Sequence, residues 1–351
     1  QRARGCSVDL ACPEAEPDAS TSLSEQARAA GVTPVLTLSR GRGVSLWRDR
    51  VDAGRLTELV SQRDIEIVHT WHTRDHVLAV RALGDRRRRR LTRVVRSYRN
   101  ADSIRAWPWN RWLFGPGTDA LLCVSPKSAE INASIRRGRP LRGEFGAVDL
   151  TRFTPRPRDS NVRKSLDLRE EDFVIGIVAR VQRKRRFDLL LAAMQRLAAQ
   201  QPRARLLIIG RGTHLNEVAR VTAHKLGIVD RVRFAGYLGA DYADALRVAD
   251  IFTFLVPGSD GTCRALLEAA ACGLPAVVTR RGSLAEIVID GETGLVVDED
   301  PDSLADAWGR LLGDPALAAQ MGAAARSRAE RTFAPAHFAE RVAALYADPS
   351  S

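Results

Sequence analysis

Two carboxylates bracket a glycine-containing loop in the second half of the chain, the arrangement in this sequence that is best suited to chemistry. Asp260 lies in the loop, and Glu268 follows eight positions later, about two turns into a helix predicted from Thr262. The apolar run 251–256 predicts a buried strand before the loop. A strand, a loop and a helix N-terminus form an anion site, because free backbone N–H groups and the positive end of the helix dipole converge there.

Glu268 is unusual for its surroundings. Its neighbours Leu266, Leu267 and 269–271 suit a tightly packed helix, where an acid is costly unless it has a partner. One interpretation is an ion pair with Arg264 at i,i+4, which contributes only about 0.2–0.5 kcal/mol. The other is that Glu268 faces a cleft and accepts hydrogen bonds from the hydroxyls of a sugar or ribose. The loop by itself leaves both interpretations open.

Cations follow the predicted strand 173–178. Arg180, Lys184 and Arg185 lie between this strand and the next helix, where they are well placed to hold a diphosphate. The alternative is a solvated charge run over 183–186, which is the commoner meaning of such runs.

Two weaker signals follow later strands. Gly210 and Gly212 come after the run 205–209, and this spacing suits either a close approach of backbone to ligand or a tight turn. Tyr237 follows the run 232–235 in the same way.

Composition sets the general class of protein. A chain of 351 residues with 45% apolar residues favours two globular domains. The net charge is +12, but 50 of the 54 basic residues are arginine, so a general arginine bias explains the charge as well as a polyanionic partner does. No nucleic-acid recognition module is present, and we expect no nucleic-acid partner.

The cysteines and apolar runs bear on location. The five cysteines are scattered and include no C-x-x-C pair, which favours a reducing compartment and no structural zinc. No apolar run approaches 18 residues and no signal peptide is evident, so we expect a cytoplasmic protein. The first residues resemble the end of a helix, and we expect a strand–helix unit before them.

Strands and helices alternate along the whole chain. The apolar pattern predicts strands at 7–11, 32–38, 65–70, 92–97, 120–125, 173–178, 205–209, 232–235, 251–256, 276–279 and 294–297. It predicts helices at 23–30, 56–62, 77–83, 187–199, 215–226, 242–248, 262–273, 284–289, 304–312 and 316–346, the last interrupted at 333–335.

This alternation predicts an α/β fold of two doubly wound, Rossmann-like domains that face a central cleft. A proline-containing linker at 146–158 separates them. We therefore expect an acceptor-side domain at 1–150, a donor-binding domain at 151–330, and a C-terminal helix at 331–351 that packs back toward the first domain. Ligands are expected outside the carboxyl ends of the strands.

The second half resembles the nucleotide-sugar-binding domain of retaining glycosyltransferases of family 4, which have the GT-B fold. The matching blocks are VARVQRKRRFDLLL, LLIIGRG, VRFAGYL, ADIFTFLVPGSDGTCRALLEAAACGLPAVVT and SLAEIVIDGETGLVV. The first half is similar more loosely, through RGCSVDLACP, DIEIVHTW, DALLCVS and GAVDLTRFTP.

The resemblance assigns roles to particular residues. Arg180 and Arg185 would hold the donor diphosphate; the family usually has lysine at the position of Arg185, and Lys184 is an alternative. Glu268 matches the acid that binds ribose hydroxyls. Asp260 stands where the family usually has glutamate near the transferred sugar, and it is one methylene shorter. Other donor contacts would come from the loops at Gly210, at Tyr237 and Leu238, and from the backbone of Gly261, Thr262, Cys263 and Arg264.

The resemblance also implies a reaction. A sugar would move, with retention, from a nucleoside-diphosphate sugar to a glycan or glycolipid acceptor, as in the synthesis of envelope polysaccharide or lipopolysaccharide. The nucleotide is left open, with a UDP-sugar as the first expectation. Arg180, Arg185 and the helix N-terminus would stabilise the leaving diphosphate, so we expect no metal. The alternative is a GT-B protein without transfer activity, either a sugar-nucleotide epimerase or a binding subunit.

The first half offers acceptor-side candidates. His69 and His72 lie at or after a predicted strand end, and Arg99 and Asn100 stand after the next strand, where many relatives carry histidine. Arg99 favours an anionic or phosphorylated acceptor group.

Two segments of the first half bear on membrane contact. The arginines at 86–90 and the aromatic segment 107–114 suit peripheral association with an anionic membrane, at the inner face of the cell membrane. The other interpretation, slightly preferred, is a solvated loop with a locally packed aromatic cluster.

Overall fold

The computed structural model describes residue 1 and residues 5–13, 23–39, 45–257 and 261–347. The N-terminal lobe contains β1 (Leu10–Pro13), α1 (Leu23–Ala29), β2 (Pro34–Leu38), α2 (Leu46–Gln62), β3 (Ile67–Thr70), α3 (Thr73–Ala82), α4 (Gly84–Arg88), β4 (Arg93–Tyr98), α5 (Pro108–Phe114), β5 (Ala120–Cys123), α6 (Pro126–Arg136) and β6 (Leu141–Gly143).

The C-terminal lobe contains α7 (Ser160–Ser165), β7 (Phe173–Val178), α8 (Phe187–Gln200), β8 (Ala204–Ile209), α9 (Val221–Lys225), β9 (Val232–Gly236), α10 (Tyr242–Arg247), β10 (Ile251–Phe254), α11 (Arg264–Ala271), β11 (Ala276–Thr279), α12 (Leu284–Ile287), β12 (Gly294–Val297), α13 (Pro301–Gly313) and α14 (Pro315–Thr332). A π-helical segment, Leu215–Arg220, precedes α9, and the chain ends in α15 (Pro335–Ala347).

The C-terminal lobe has a six-stranded parallel sheet with the strand order β12-β11-β10-β7-β8-β9. The chain leaves β7 toward β8 on one side and leaves β10 toward β11 on the other. The neighbouring strands β7 and β10 therefore flank a topological switch point, where the loops diverge and open a crevice at the carboxyl edge.

Both faces of this sheet are covered by helices, which explains why its strands are almost continuously apolar. Alternate residues enter opposite cores: Val174 of β7 packs on the side of α11 and α14, and Ile175 packs on the side of α8 and α13. Trp308 of α13 is fully buried in the second core.

The N-terminal lobe has a four-stranded parallel sheet in the order β3-β4-β5-β6, and β1 pairs with β2 in a separate two-stranded parallel sheet. The sheet of this lobe is thus divided, whereas the pattern predicts one doubly wound sheet.

The carboxyl edges of the two large sheets face each other. The N–H of Gly261, after β10, donates to the carbonyl of Arg99, after β4, at 2.6 Å. The hydroxyl of Ser125, after β5, donates to the carboxylate of Glu286 in α12 at 2.6 Å. Loops that follow strands of one lobe therefore contact loops that follow strands of the other, as a cleft between two Rossmann-like lobes requires.

Helix α15 packs back on the N-terminal lobe. Its residues Val342 and Leu345 join Val95 and Leu122 of the N-terminal sheet in a buried cluster. Within the described residues, no helix is both long and apolar enough to cross a membrane.

Several element bounds differ from the sequence-based expectations. Helix α2 begins ten residues earlier than predicted, and strand β1 begins three residues later. Helix α11 begins at Arg264 rather than Thr262, because Cys263 adopts a left-handed backbone conformation with φ +50°. Helices α5, α6 and α7 and strand β6 form in segments where the apolar pattern predicts no element.

Candidate functional site

The switch point of the C-terminal lobe brings together the loops after β7 and β10. Arg185 reaches from the first loop to the second, where its Nη1 donates to the carbonyl of Val256 at 2.9 Å. Its side chain is half-buried, and its Nε has no hydrogen-bond partner within the described chain. Burial lowers the pKa of Arg185, the nearby Cys263 raises it, and the charge of Arg180 lowers it further. Arg185 thus places a positive charge at the crevice beside the start of α11, and its Nε–H makes no hydrogen bond to the described chain.

The other cations of this segment divide into two groups. Arg183 pairs with Glu217 at 2.5 Å, and Arg186 pairs with Glu299 at 2.9 Å. Arg180 and Lys184 are exposed and have no carboxylate within 4 Å in the described parts of the chain. Part of the run 183–186 is therefore a set of surface ion pairs, and the diphosphate clamp of Arg180, Lys184 and Arg185 stays a prediction.

The carboxylate of Glu268 is hydrogen-bonded to Tyr242, whose hydroxyl donates to Oε2 at 2.6 Å. Burial raises the pKa of Glu268, and the Tyr242 hydrogen bond and the charges of Arg264 and Arg152 partly offset this effect. Arg264 therefore acts on Glu268 through its charge, and the partner in hydrogen-bond contact is a tyrosine from α10 rather than the i,i+4 arginine of the first interpretation. The sequence carried no signal for Tyr242, because hydroxyl and carboxylate lie 26 positions apart.

The loop before α11 is fixed by the opposite lobe. Asp260 lies outside the described residues. The N–H of Gly261, which the resemblance assigns to the donor, is bonded to Arg99. A Cβ on Gly261 would lie 2.6 Å from the Arg99 carbonyl oxygen, so glycine is required for this approach. Thr262 is half-buried, and the Sγ of Cys263 donates to the Gly261 carbonyl at 3.4 Å.

The glycine turn after β8 packs on protein. Gly210 has φ +142°, and a Cβ there would lie 2.2 Å from the carbonyl oxygen of Ala179. The absence of a Cβ at position 210 thus allows the loops after β7 and β8 to touch. Of the two interpretations offered by the sequence, this observation favours the tight turn. Tyr237 is 61% exposed, and the guanidinium of Arg211 lies 4.8 Å from its ring centroid. Leu238 packs against the core that contains α11.

The histidines of the N-terminal lobe differ in their surroundings. Nδ1 of His69 is hydrogen-bonded to the Tyr346 hydroxyl at 2.6 Å, and Nε2 to the Ser97 hydroxyl at 2.8 Å. Burial, aided by the charge of Arg96, lowers the pKa of His69 to about 4. His69 is a neutral link between β3, β4 and α15 with both ring nitrogens occupied, which argues against its predicted acceptor-side role. His72 is exposed at the N-cap of α3.

The segment after β4 lies on the cleft side. Arg99 stacks on Trp71, with its guanidinium 5.9 Å from the ring centroid, and the carbonyl of Asn100 accepts from Ser128 at 3.1 Å. Arg96, a residue that sequence reasoning missed, is only 5% exposed, and its Nε and Nη1 have no hydrogen-bond partner in the described chain. The feature of the sequence that could have identified Arg96 is the presence of an arginine within the apolar strand β4.

The Asp-x-Asp sequence 298–300 is a pattern suited to binding a cation, but two of its residues contact other protein groups. Glu299 at its centre pairs with Arg186 and Arg281, and Asp300 caps α13 by accepting from the N–H of Ser303 at 2.8 Å. In the part of the chain that the structure describes, no group of three or more His, Cys, Asp or Glu side chains is placed to hold a metal ion.

Comparison with solved structures identifies the fold. The chain is similar to the Anabaena protein Alr3699/HepE in complex with UDP, with a TM-score of 0.77, 16% identity and coverage of 92% of this chain and 88% of that one. It is also similar to sucrose-phosphate synthase from Thermosynechococcus elongatus, with a TM-score of 0.68, 19% identity and coverage of 96% and 97%. The two facing Rossmann-like lobes are thus a GT-B fold.

The family follows from the sequence. Residues 159–328 match the family model described as glycosyl transferases group 1, and residues 1–140 match glycosyltransferase family 4. The chain belongs to these GT-B glycosyltransferases of family 4 type.

Curated relatives include a GDP-mannose-dependent alpha-(1-6)-phosphatidylinositol monomannoside mannosyltransferase of Mycolicibacterium smegmatis, 37% identical over 188 residues, which are 51% of this chain and 49% of that protein. Another is a D-inositol 3-phosphate glycosyltransferase of Stackebrandtia nassauensis, 31% identical over 244 residues, which are 66% of this chain and 54% of that protein. These matches thus span about half the length of each relative.

Proposed function

We propose that this protein is a glycosyltransferase that moves a sugar from a nucleoside-diphosphate sugar to a glycan or glycolipid acceptor. The observation that carries the proposal is the half-buried Arg185 at the switch point, beside the start of α11, with a buried Nε that has no partner in the described chain. The charge of Arg180 also lowers the pKa of Arg185, which supports a second cation near the first.

The chemistry follows from charge. Cleavage of the bond between sugar and phosphate leaves a growing negative charge on the diphosphate. Arg185, Arg180 and the N–H groups of the first turn of α11 stabilise that charge where it develops, and partial burial strengthens their effect. We propose that the reaction needs no metal, because these groups supply the positive potential, and that it proceeds with retention, as the family resemblance implies.

Glu268 is proposed to hold the hydroxyls of the donor. Its carboxylate accepts a hydrogen bond from Tyr242, and a second carboxylate oxygen and further lone pairs leave room for other donors. Tyr242 fixes the orientation of the carboxylate. Tyr237 and Leu238 lie in the loop that leads from β9 to Tyr242, which supports their proposed position beside the base. Asp260 stays a prediction for the reacting centre.

The names of the relatives narrow the first substrates to test. GDP-mannose becomes the first donor, alongside UDP-sugars, and an inositol-containing glycolipid becomes the first acceptor. Arg99, Asn100 and His72, at the carboxyl edge of the N-terminal sheet, are the proposed acceptor contacts. A role in envelope polysaccharide or lipopolysaccharide synthesis remains the broader proposal.

Release of nucleoside diphosphate from GDP-mannose and from UDP-glucose, with and without phosphatidylinositol mannoside, tests the proposal. We expect Glu268→Ala to lower kcat/KM for the preferred donor by about a hundredfold, because one charge-assisted set of hydrogen bonds is lost. Glu292→Ala, which removes an exposed acid of the same lobe, should leave kcat/KM within twofold.

Each contrary outcome has a distinct meaning. Donor binding without turnover in the presence of acceptors would favour the alternative, a GT-B protein without transfer activity. Equal loss of turnover in Glu268→Ala and Glu292→Ala, with both variants folded, would remove Glu268 from the donor site.

A further inference from the structure

Helix α5 exposes three tryptophans to solvent. Trp107, at its N-cap, is 62% exposed, and Trp109 and Trp112 are 47% and 43% exposed. The same helix buries Leu113 and Phe114 in the core of the N-terminal lobe, at 1% and 6% exposure. The helix is therefore anchored by its own apolar residues, and the tryptophans are not needed for that packing. An exposed set of large aromatic side chains marks an interaction surface.

Arginines surround these tryptophans. The guanidinium of Arg105 lies 5.6 Å from the ring centroid of Trp107, and that of Arg81 lies 5.8 Å from that of Trp109. Neither arginine has a carboxylate within 4 Å in the described chain. We call this surface the tryptophan face: residues 107, 109 and 112 with Arg81 and Arg105.

A groove adjoins the tryptophan face between α5 and α6. Its volume is about 190 Å³, and its lining combines the isoleucines 104, 131 and 135 with Arg111 and Arg137. Ile131 is 42% exposed, although it is a large apolar residue on a helix surface. The lining also includes Asn132 and Ser134, so the groove offers apolar side chains, polar groups and cations together beside the tryptophan face.

Positive charge extends beyond the groove. Arg87 of α4 donates to the carbonyl of Pro116, just after α5, at 3.0 Å, so the arginine run adjoins the C-terminal end of α5. Within that run, Arg86, Arg87 and Arg88 pair with aspartates, whereas Arg89 and Arg90 are exposed. Segments that are rich in arginine are attracted to anionic lipid by about 1 kcal/mol for each cation near the surface.

We propose that the tryptophan face docks this protein on an anionic lipid bilayer, with the indole rings at headgroup depth. Tryptophan and arginine are the residues that settle at such an interface, since each joins an apolar or planar body to a polar group. A second copy of the chain fits less well, because a symmetric contact would set the same arginines of two copies against each other.

Docking on this face would place the bilayer beside the cleft. The segment between β4 and α5 carries both Arg99, which contacts Gly261 of the other lobe, and Arg105 of the tryptophan face. A lipid-linked molecule held at this surface therefore has a short route to the cleft. The docking proposal does not depend on the proposed transfer activity, because membrane binding is measured without any donor.

Co-sedimentation with vesicles of phosphatidylcholine alone, and with 30% phosphatidylglycerol, tests the proposal. We expect binding to the anionic vesicles, a drop when salt is raised, and quenching of tryptophan fluorescence by lipids brominated on the acyl chain. The double variant Arg105→Ser/Arg111→Ser should lower the partition coefficient by about 25-fold, at about fivefold for each arginine.

The triple variant Trp107→Ala/Trp109→Ala/Trp112→Ala should abolish sedimentation and the quenching. Its control is Trp47→Ala, since Trp47 is 77% exposed but belongs to α2 and not to the tryptophan face; this variant should bind as the unchanged protein does. Circular dichroism and thermal unfolding show whether each variant is folded.

Three outcomes would overturn the proposal: no binding to anionic vesicles at low salt, equal binding of the triple variant, or equal loss in Trp47→Ala. A dimer in light scattering that the triple variant alone disrupts would also overturn it, and would assign the face to a second copy.

Discussion

Neighbouring arginines of the loop after β7 make different contacts. Arg185 bridges to the carbonyl of Val256 at the switch point, whereas Arg183 lies two positions earlier and pairs with Glu217 on the surface. Surface ion pairs contribute little to stability, about 0–1 kcal/mol, so Arg183 is expendable in the folded protein. A cation at a developing negative charge matters far more for catalysis.

We expect Arg185→Ala to lower kcat/KM for nucleotide release by about 10²–10³, since one donor to the leaving diphosphate is lost. Arg185→Lys should recover part of this activity, because it keeps the charge but not the geometry of the guanidinium. Arg183→Ala is the matched control and should stay within twofold. A loss of similar size in both alanine variants would show that the whole charge run acts together and that Arg185 has no special place.

The carboxylate of Glu268 shows how burial and partners oppose each other at one residue. Burial raises its pKa, while the hydrogen bond from Tyr242 and the nearby arginine charges lower it. Tyr242 itself is disfavoured from ionising, since burial and the charge of Glu268 raise its pKa. The tyrosine therefore stays a donor, and its hydrogen bond fixes the orientation of the Glu268 carboxylate.

At the scale of elements, α6 shows why a helix can escape a search for apolar periodicity. Its buried face carries Ser128, Asn132 and Arg136, at i, i+4 and i+8, where apolar residues are expected. These polar side chains bond mainly to backbone: Asn132 accepts from the N–H of Ile104 at 2.7 Å, and Nη1 and Nη2 of Arg136 donate to carbonyls around Thr118 and Pro140. The Nε of Arg136 has no partner in the described chain. Polar side chains replaced the hydrophobic stripe because this helix closes over irregular loops.

The turn after β8 offers a test of loop packing. Gly210→Ala would bring a Cβ to 2.2 Å from the Ala179 carbonyl oxygen at φ +142°, and we expect it to destabilise the protein by more than about 2 kcal/mol. Gly54→Ala, in the interior of α2 with open space around it, should instead stabilise by about 0.5–1 kcal/mol. Urea unfolding monitored by circular dichroism measures both, and an unchanged midpoint for Gly210→Ala would contradict the predicted clash.

At the scale of the whole molecule, α15 joins the lobes through a titratable contact. His69 is hydrogen-bonded to Tyr346 of α15 and to Ser97 of β4, and Arg93 of β4 donates to the Tyr346 carbonyl at 2.6 Å. Helix α15 is thus held on the N-terminal sheet by the contacts of Tyr346 with His69 and with Arg93, beside an apolar cluster.

This contact predicts an acid-sensitive stability. The pKa of His69 falls from an ordinary 6.5 to about 4 in the folded protein, so the unfolded chain binds the proton more readily. The free energy of unfolding should therefore decline as pH falls from 6.5 toward 4, by at most about 3 kcal/mol from this residue. Above pH 6.5 the residue has no such effect.

Urea unfolding between pH 7.5 and pH 4.5 checks the prediction against His69→Gln, which keeps a polar side chain but does not titrate. The variant should show a shallower decline with acid than the unchanged protein. The pH profile of His76→Gln serves as a comparison with that of His69→Gln. Burial lowers the pKa of His76 to about 3, but this histidine makes no hydrogen bond to α15 in the described chain. Parallel pH profiles for the unchanged protein and His69→Gln would refute the assignment.

The sequence by itself determined the architecture and the position of the donor-side candidates. Strands alternate with helices, both faces of each buried strand are apolar, and these periods follow directly from residue types. Since ligands gather at the carboxyl ends of parallel strands, the cations after β7 and the acid in α11 were assigned to one edge before the strand order was known.

Only the tertiary structure decided which polar groups are already occupied. Glu268 is paired with Tyr242, the N–H of Gly261 with Arg99, and His69 with Tyr346, in each case across a large separation in sequence. Gly210 likewise packs its turn against the loop after β7, which is a contact between separate segments of the chain. Periodicity reports which face of an element is buried, but the partner of a buried donor or acceptor is chosen only when distant segments meet.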